Sequence, residues 1–276
     1  NCALRIAAHC GDLDVCRWLV DTFHLTAEDA RACDNHALQF AAANGQLDVC
    51  RWLTETFRLT PADARSDNNY ALRHAARTGH LHMCRWLTET FHLTAEDARA
   101  CDNYALRHAV EEGRLDVCRW LTEAFHFTAE DVRADDNDML TTAADYGYLH
   151  MCRWLTETFH LTAEDARACD NYALRHAAEG GHLDVCRWLT ETFHLTAEDA
   201  RADYNYALRH AAERGYLDVC RWLVDTFNLT AEDARADNNY ALRRAAGDGR
   251  LDVCRWLIET FHLTAEDARA DDNYAL

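Results

Sequence analysis

The chain repeats itself every 34 residues, and no insertion breaks the phase. Trp18, Trp52, Trp86, Trp120, Trp154, Trp188, Trp222 and Trp256 lie inside eight copies of one phrase, close to Leu-Asp-Val-Cys-Arg-Trp-Leu. An Asn returns in the same register at 1, 35, 69, 103, 137, 171, 205, 239 and 273. A fixed period of this length means stacked supersecondary units, each unable to bury its apolar face alone. The architecture expected is therefore one array over residues 1–276. Its start without Met and its stop four residues into a ninth repeat read as a segment of a longer chain.

Residues 35–68 serve as the example. Apolar residues at 47, 49, 50, 52, 53 and 57 recur at spacings of three and four, which predicts an amphipathic helix. Asp48 falls in its first turn, where it suits the helix dipole. Helix formers from Ala37 to Ala43 predict a shorter helix before it, ended by Gly45. A Gly-containing turn would then join two antiparallel helices. The sequence Phe57-Arg58-Leu59 is Phe-His-Leu in most repeats and Phe-Asn-Leu once, at Asn228. His and Asn tolerate the left-handed conformation that closes helices, and the Leu supplies an apolar contact. Thr-Ala-Glu-Asp-Ala-Arg then predicts a third, short helix with Thr as its N-cap. The only Pro, Pro61, follows Thr60 at the first helical position, where Pro is best tolerated. The fold class expected is all-α: eight repeats of two main antiparallel helices and one short helix. With layers about 10 Å apart, eight repeats would reach about 80 Å.

These residues resemble the ankyrin repeat. Its Thr-Pro-Leu-His-Leu-Ala-Ala-x-x-Gly-His-Leu is similar to Tyr70-Ala-Leu-Arg-His-Ala-Ala-Arg-Thr-Gly79-His-Leu81. Its Glu-Ile-Val-Lys-Leu-Leu is similar to Asp48-Val-Cys-Arg-Trp-Leu53. The resemblance implies an ankyrin-like solenoid with a concave groove that receives a protein partner. No repeat keeps the Thr-Pro-Leu-His tetrapeptide. The family's β-hairpin finger is replaced by Thr-Ala-Glu-Asp-Ala-Arg, so a helical turn and little or no strand is expected there. The Trp ladder takes an ankyrin Leu position and is expected to be interior mass.

Comparison of the repeats with one another locates the candidate site. Residues flanking the turn Gly differ in almost every copy, whereas the helical phrases are nearly fixed. The resemblance places these variable positions on the groove: Arg77, Thr78, His80, Glu111, Glu112, Arg114, Asp145, Tyr146, Tyr148, Glu179, His182, Glu213, Arg214 and Tyr216. The fifth repeat adds Asp138, since it reads Asn137-Asp-Met-Leu-Thr-Thr where others read Asn-Tyr-Ala-Leu-Arg-His. Tyr146 and Tyr148 bring aromatics of the kind enriched at binding hot spots. Two readings fit the variation equally: tuned recognition, and drift at exposed sites.

Composition narrows the function classes. There are 47 acidic and 28 basic residues, the basic ones all Arg, for a net charge of −19. Such a surface repels phosphate backbones, so no nucleic-acid partner is expected. No apolar run approaches the ~20 residues of a membrane span. Thirteen Cys is an odd number, and eight of them are one repeated position. Reduced thiols in a cytoplasmic, reducing compartment fit better than disulfides. His80, His82 and Cys84 lack the pairing of a zinc site, and no metal or cofactor is expected. The His at 74, 108, 176 and 210 is replaced by Ile6, Phe40, Thr142 and Arg244 elsewhere, which predicts a half-buried packing position. One Ser, no Lys and no Gly-rich phosphate loop argue against an enzyme. The carboxylates typified by Glu28 and Asp29 are explained by capping.

The expected function is a non-enzymatic module that binds a protein. The alternative is a structural spacer, because 68-residue blocks recur: Cys33, Cys101 and Cys169 share that interval. The last repeat is expected to fray or to self-associate end to end, with Leu257, Phe261 and Leu263 leaving an apolar face uncovered and the next neighbour stopping after Tyr274-Ala-Leu276.

Overall fold

The computed structural model describes residues 2–269, and at 135–137 the backbone alone. Regular structure among the described residues is all helical. The chain forms two compact bodies, 1–131 and 132–276. Within each, the first helix of a repeat packs against the first helix of the next, and second helices against second helices.

The sixth repeat shows how one layer is built. Its second helix, Leu183–Phe193, buries Val185, Cys186, Leu189 and Phe193, spaced as one face of a helix. His194 ends it in the left-handed region at φ 51°. The Leu195 N–H then donates to the Thr190 carbonyl at 3.2 Å, and Leu195 is buried. That is the Schellman-type end expected from Phe-His-Leu. Thr196 opens the short helix Ala197–Ala200 with a capping box: the Asp199 carboxylate accepts from the Thr196 N–H at 2.7 Å and its hydroxyl at 3.0 Å. In the second repeat Pro61 begins the equivalent helix, Pro61–Ala64. The turn between the main helices rests on Gly181 at φ +78°, where a Cβ would also stand 2.6 Å from the Tyr216 ring.

Two devices join successive layers. The first is a ladder of ion pairs. Arg167 donates from Nε and Nη2 to both carboxylate oxygens of Asp199, at 2.7 and 3.0 Å, and from Nη2 to the His194 carbonyl at 3.3 Å. The pair recurs at Arg31–Asp63, Arg65–Asp97, Arg99–Asp131, Arg133–Asp165, Arg201–Asp233 and Arg235–Asp267. Capping therefore explains only half of what the second carboxylate does. It also clamps the preceding repeat.

The second device is a left-handed turn. Cys33-Asp34-Asn35, Asp67-Asn68-Asn69, Cys101-Asp102-Asn103, Cys169-Asp170-Asn171, Asp203-Tyr204-Asn205 and Asp237-Asn238-Asn239 all have φ between 49° and 64°. Each non-glycine residue there costs about 1 kcal/mol or more, least for Asn and Asp. Buried arginines hold the turn. Arg175 Nη2 donates to the Cys169 carbonyl of the preceding repeat at 2.9 Å, and Nη1 to Asp203 at the far end of its own at 2.5 Å. Arg73 and Arg209 play the same part. The recurring Asn is thus the third left-handed residue. Its copies at 1, 137 and 273 fall where side chains lie outside the described residues.

Two expectations are corrected. The Trp ladder is not interior. Trp154 is buried, Trp18 is exposed, and the other six are half-buried. The indole falls on the flank of the helix, beside the stripe of Val, Cys, Leu and Phe, and meets the Phe five residues on edge to face. The end of the chain also differs. Leu257, Phe261 and Leu263 are buried, since the helix that ends at Phe261 packs on the first helix of its own repeat and on the short helix before it. The exposed apolar residues near that end are Leu251 and Ile258, while Ile6, Val15, Trp18 and Phe23 are exposed in the first repeat. Tyr274-Ala-Leu276 lies outside the described residues. The repeated Cys is core: burial pushes the thiols of Cys50, Cys84, Cys118 and Cys186 far above the ordinary range.

Candidate functional site

On the first helix, Tyr stands four residues before His, so the two share one face. Successive repeats stack these rings into a column. In the first body, Tyr70 and His74 centroids are 3.9 Å apart, His74 and Tyr104 5.4 Å, and Tyr104 and His108 3.9 Å. In the second body the column runs Tyr172, His176, Tyr206, His210, Tyr240 at 3.8 to 5.3 Å. Arginines of the left-handed turns lie over the tyrosines: Arg73 is 4.6 Å from the Tyr104 centroid and Arg175 4.9 Å from that of Tyr206. The His position is half-buried, as its tolerance of other residues implied.

The variable residues border this column, and they fall into two kinds. The residue after the turn Gly covers the turn Gly of the preceding repeat. His80 lies over Gly45, Arg114 over Gly79, His182 over Gly147 and Tyr216 over Gly181. Tyr148 stacks on exposed Tyr146, their rings 5.9 Å apart and 13° from parallel. The residues before the Gly bond to one another across layers. Arg77 donates to Glu112 at 3.1 Å, and Thr78 to the Ala43 carbonyl at 2.9 Å. Glu111 pairs with His108. Glu179 accepts from the Tyr206 hydroxyl at 2.6 Å and Arg214 at 2.9 Å. Glu213 accepts from Tyr240 at 3.0 Å and pairs with His210 at 2.8 Å. Asp138 does not join them. It stands inside the helix Ala129–Asp145, where Thr141 donates to its carbonyl and Thr142 to its carboxylate.

In the second body, Asp145, Glu179, Arg214 and Tyr216 meet Tyr172, His176 and Tyr206 around a cavity of about 520 Å³. Burial would raise the Glu179 carboxyl, but hydrogen bonds from Tyr206 and Arg214 hold it below its usual range. Burial raises Asp145, with Glu179 adding to the effect. Burial holds His176 below its usual range. Tyr216 was among the residues singled out in the sequence, but Tyr172 and Tyr206 went unremarked, although a Tyr–His pair at four-residue spacing in repeat after repeat was there to be read. Among the described residues no three His, Cys, Asp or Glu converge as metal ligands. No described helix is long and apolar enough to cross a membrane.

The column predicts a pH dependence. Burial, with Arg73 and Arg77 beside it, lowers His74 from 6.5 to about 4. A lowered His pKa means the unfolded chain binds the proton that the folded chain refuses. Stability is then lost as pH falls from 6.5 toward 4. The ladder aspartates are also held below their ordinary value, but their stabilisation is lost only below about 3.8. Between pH 7 and 4.5 the melting temperature should fall by about 5 °C. His74→Phe, which copies Phe40 of the second repeat, should flatten that slope. An unchanged slope in melting curves would remove His74 from the account.

Models of ankyrin repeats match much of the chain. One, described as ankyrin repeats (3 copies), covers 174–267. Another, ankyrin repeats (many copies), covers 4–54, 38–88 and 140–190. Together they reach 4–88 and 140–267, more than half of the sequence. None of the curated proteins matches it. An X-ray structure of an ankyrin repeat family protein from Legionella pneumophila is 22% identical, with 93% of this chain and 68% of that one covered, at a TM-score of 0.39. That likeness is too slight to build on. The layered helix pairs and the two family models lead to one conclusion: the chain belongs to the ankyrin-repeat family.

Proposed function

We propose that the chain is a non-enzymatic module that holds a protein partner on the face formed by the ends of its first helices. Ankyrin repeats generally serve protein–protein interaction. One observation carries the reading here. The repeats are nearly identical where they clamp one another, at the ladder and the core, and they differ beside the turn glycines, where side chains are exposed or half-exposed. Conserved clamping with varied polar and aromatic display is what a recognition surface requires. The thirteen cysteines are all thiols, which suits a reducing compartment. The recurrence of 68-residue blocks favours the spacer reading as the second choice, since such duplication changes length and leaves the display pattern alone.

Capture from native lysate tests the proposal. A variant with Ala at Arg114, Tyr146, Tyr148 and His182 should lose at least about tenfold of the captured partner, while its circular dichroism stays native. Equal recovery by both proteins would sink the assignment of this face.

A further inference from the structure

The repeats act as templates for one another, and one layer lacks a part that its neighbour has. Glu179 is neutralised within the chain. The Tyr206 hydroxyl, 27 residues on, donates to it at 2.6 Å, and Arg214, 35 residues on, at 2.9 Å. One repeat earlier the acid is Asp145. The residue 27 positions on is Tyr172, so the ring is retained. The residue 35 positions on is Gly180, so the arginine is missing. Asp145 is one methylene shorter than Glu179, which leaves more room still.

What surrounds Asp145 does not replace that cation. Among the described residues no arginine stands within ion-pair distance of it. Its titratable neighbours are His176, at 3.7 Å and held by burial below its usual range, with Glu179 and His182. The Asp145 side chain is 41% exposed and so can be reached from solvent. Beside it lies the cavity of about 520 Å³, walled by the Tyr172 and Tyr206 rings, with Arg214 committed to Glu179. A half-buried carboxylate with no arginine of its own, beside a cavity with flat aromatic walls, describes a slot for a guanidinium.

We infer that the Asp145 pocket receives an arginine side chain of the bound protein. This rests on the reading of the first-helix face as the partner surface, and it adds the chemistry of one anchor. The incoming guanidinium enters from the cavity and does for Asp145 what Arg214 does for Glu179 in the following layer. Arginine fits better than lysine, because its planar fork can bond the carboxylate and stack on a tyrosine at once. The surplus of acid over base in the chain, 47 to 28, favours a basic partner overall.

The full chain, titrated with Nα-acetyl-arginine amide and followed by amide NMR, tests the pocket without a known partner. Saturable shifts are expected at Tyr172, Gly180 and His182. Nα-acetyl-citrulline amide, neutral and nearly isosteric, should bind at least about tenfold more weakly, since the charge-assisted bonds are lost. Asp145→Asn should weaken the arginine probe by a similar factor. Gly180→Arg should abolish binding by supplying the guanidinium from within. Gly180 has a right-handed backbone, and a Cβ there meets the His182 ring at 2.6 Å and the Asp145 carbonyl at 3.1 Å, so the His182 ring must swing away and the carbonyl give slightly. Equal binding of the two probes, or wild-type affinity in Asp145→Asn, would overturn the inference. Failure of the parent reading looks different: the arginine probe still binds, and no protein is retained from lysate.

Discussion

Asp199→Ala is expected to destabilise the second body by about 3 kcal/mol, a large loss for one acid of a four-residue helix. Two contributions combine. The capping box on Thr196 contributes about 1 kcal/mol. The two-pronged bond from Arg167 contributes about 2 kcal/mol, near the low end for charged partners because the arginine is a third exposed. Burial would raise the Asp199 carboxyl, yet Arg167 and Thr196 hold it below its ordinary range, which shows that the ionised form is the stabilised one. Arg167→Ala alone should cost about 1–2 kcal/mol, and the double variant should fall short of the sum by about 1 kcal/mol. Urea unfolding of the four proteins measures this cycle. Strict additivity would mean that the ladder is decorative.

Arg209→Ala should cost about 3 kcal/mol, for a different reason. Its buried guanidinium donates to the Asp203 carbonyl of the preceding repeat at 3.0 Å, pairs with Asp237 at the far end of its own, and lies 4.8 Å from the Tyr240 centroid of the next. Removing it leaves the left-handed turn Asp203-Tyr204-Asn205 without the bond that offsets its backbone strain. Arg209→Lys should recover little, because a single ammonium cannot span both a carbonyl and a carboxylate. Hydrogen exchange at residues 203–206 reports the turn directly. Native protection there in Arg209→Ala would separate the arginine from the turn.

The parts of the fold that were legible in the sequence lie within one repeat. The spacing of Val49, Cys50, Leu53 and Phe57, the Phe-His-Leu closure and Pro61 each carry their meaning within a few residues. The parts that were not legible cross from one repeat to the next. Arg31 meets Asp63 at a distance of 32 residues, and each looked locally explained as a helix-end charge. The left-handed turn has no glycine to announce it. Trp was assigned to the interior by its place in the family pattern, but an indole is too large for a position at the edge of the buried stripe. The candidate site was legible as a set of varying residues. Its wiring, with Tyr206 and Arg214 on Glu179 and nothing comparable on Asp145, needed the layers side by side.

The central claim is that recognition sits beside the turn glycines, while the ion-pair ladder and the core hold the repeats together. A hydrogen-exchange footprint of the chain with its captured partner tests it most directly. The account predicts added protection at 77–80, 111–114, 145–148, 179–182 and 213–216, with the Thr-Ala-Glu-Asp-Ala-Arg segments unchanged. Protection concentrated on those segments, around Asp63, Asp97 or Asp199, would contradict it.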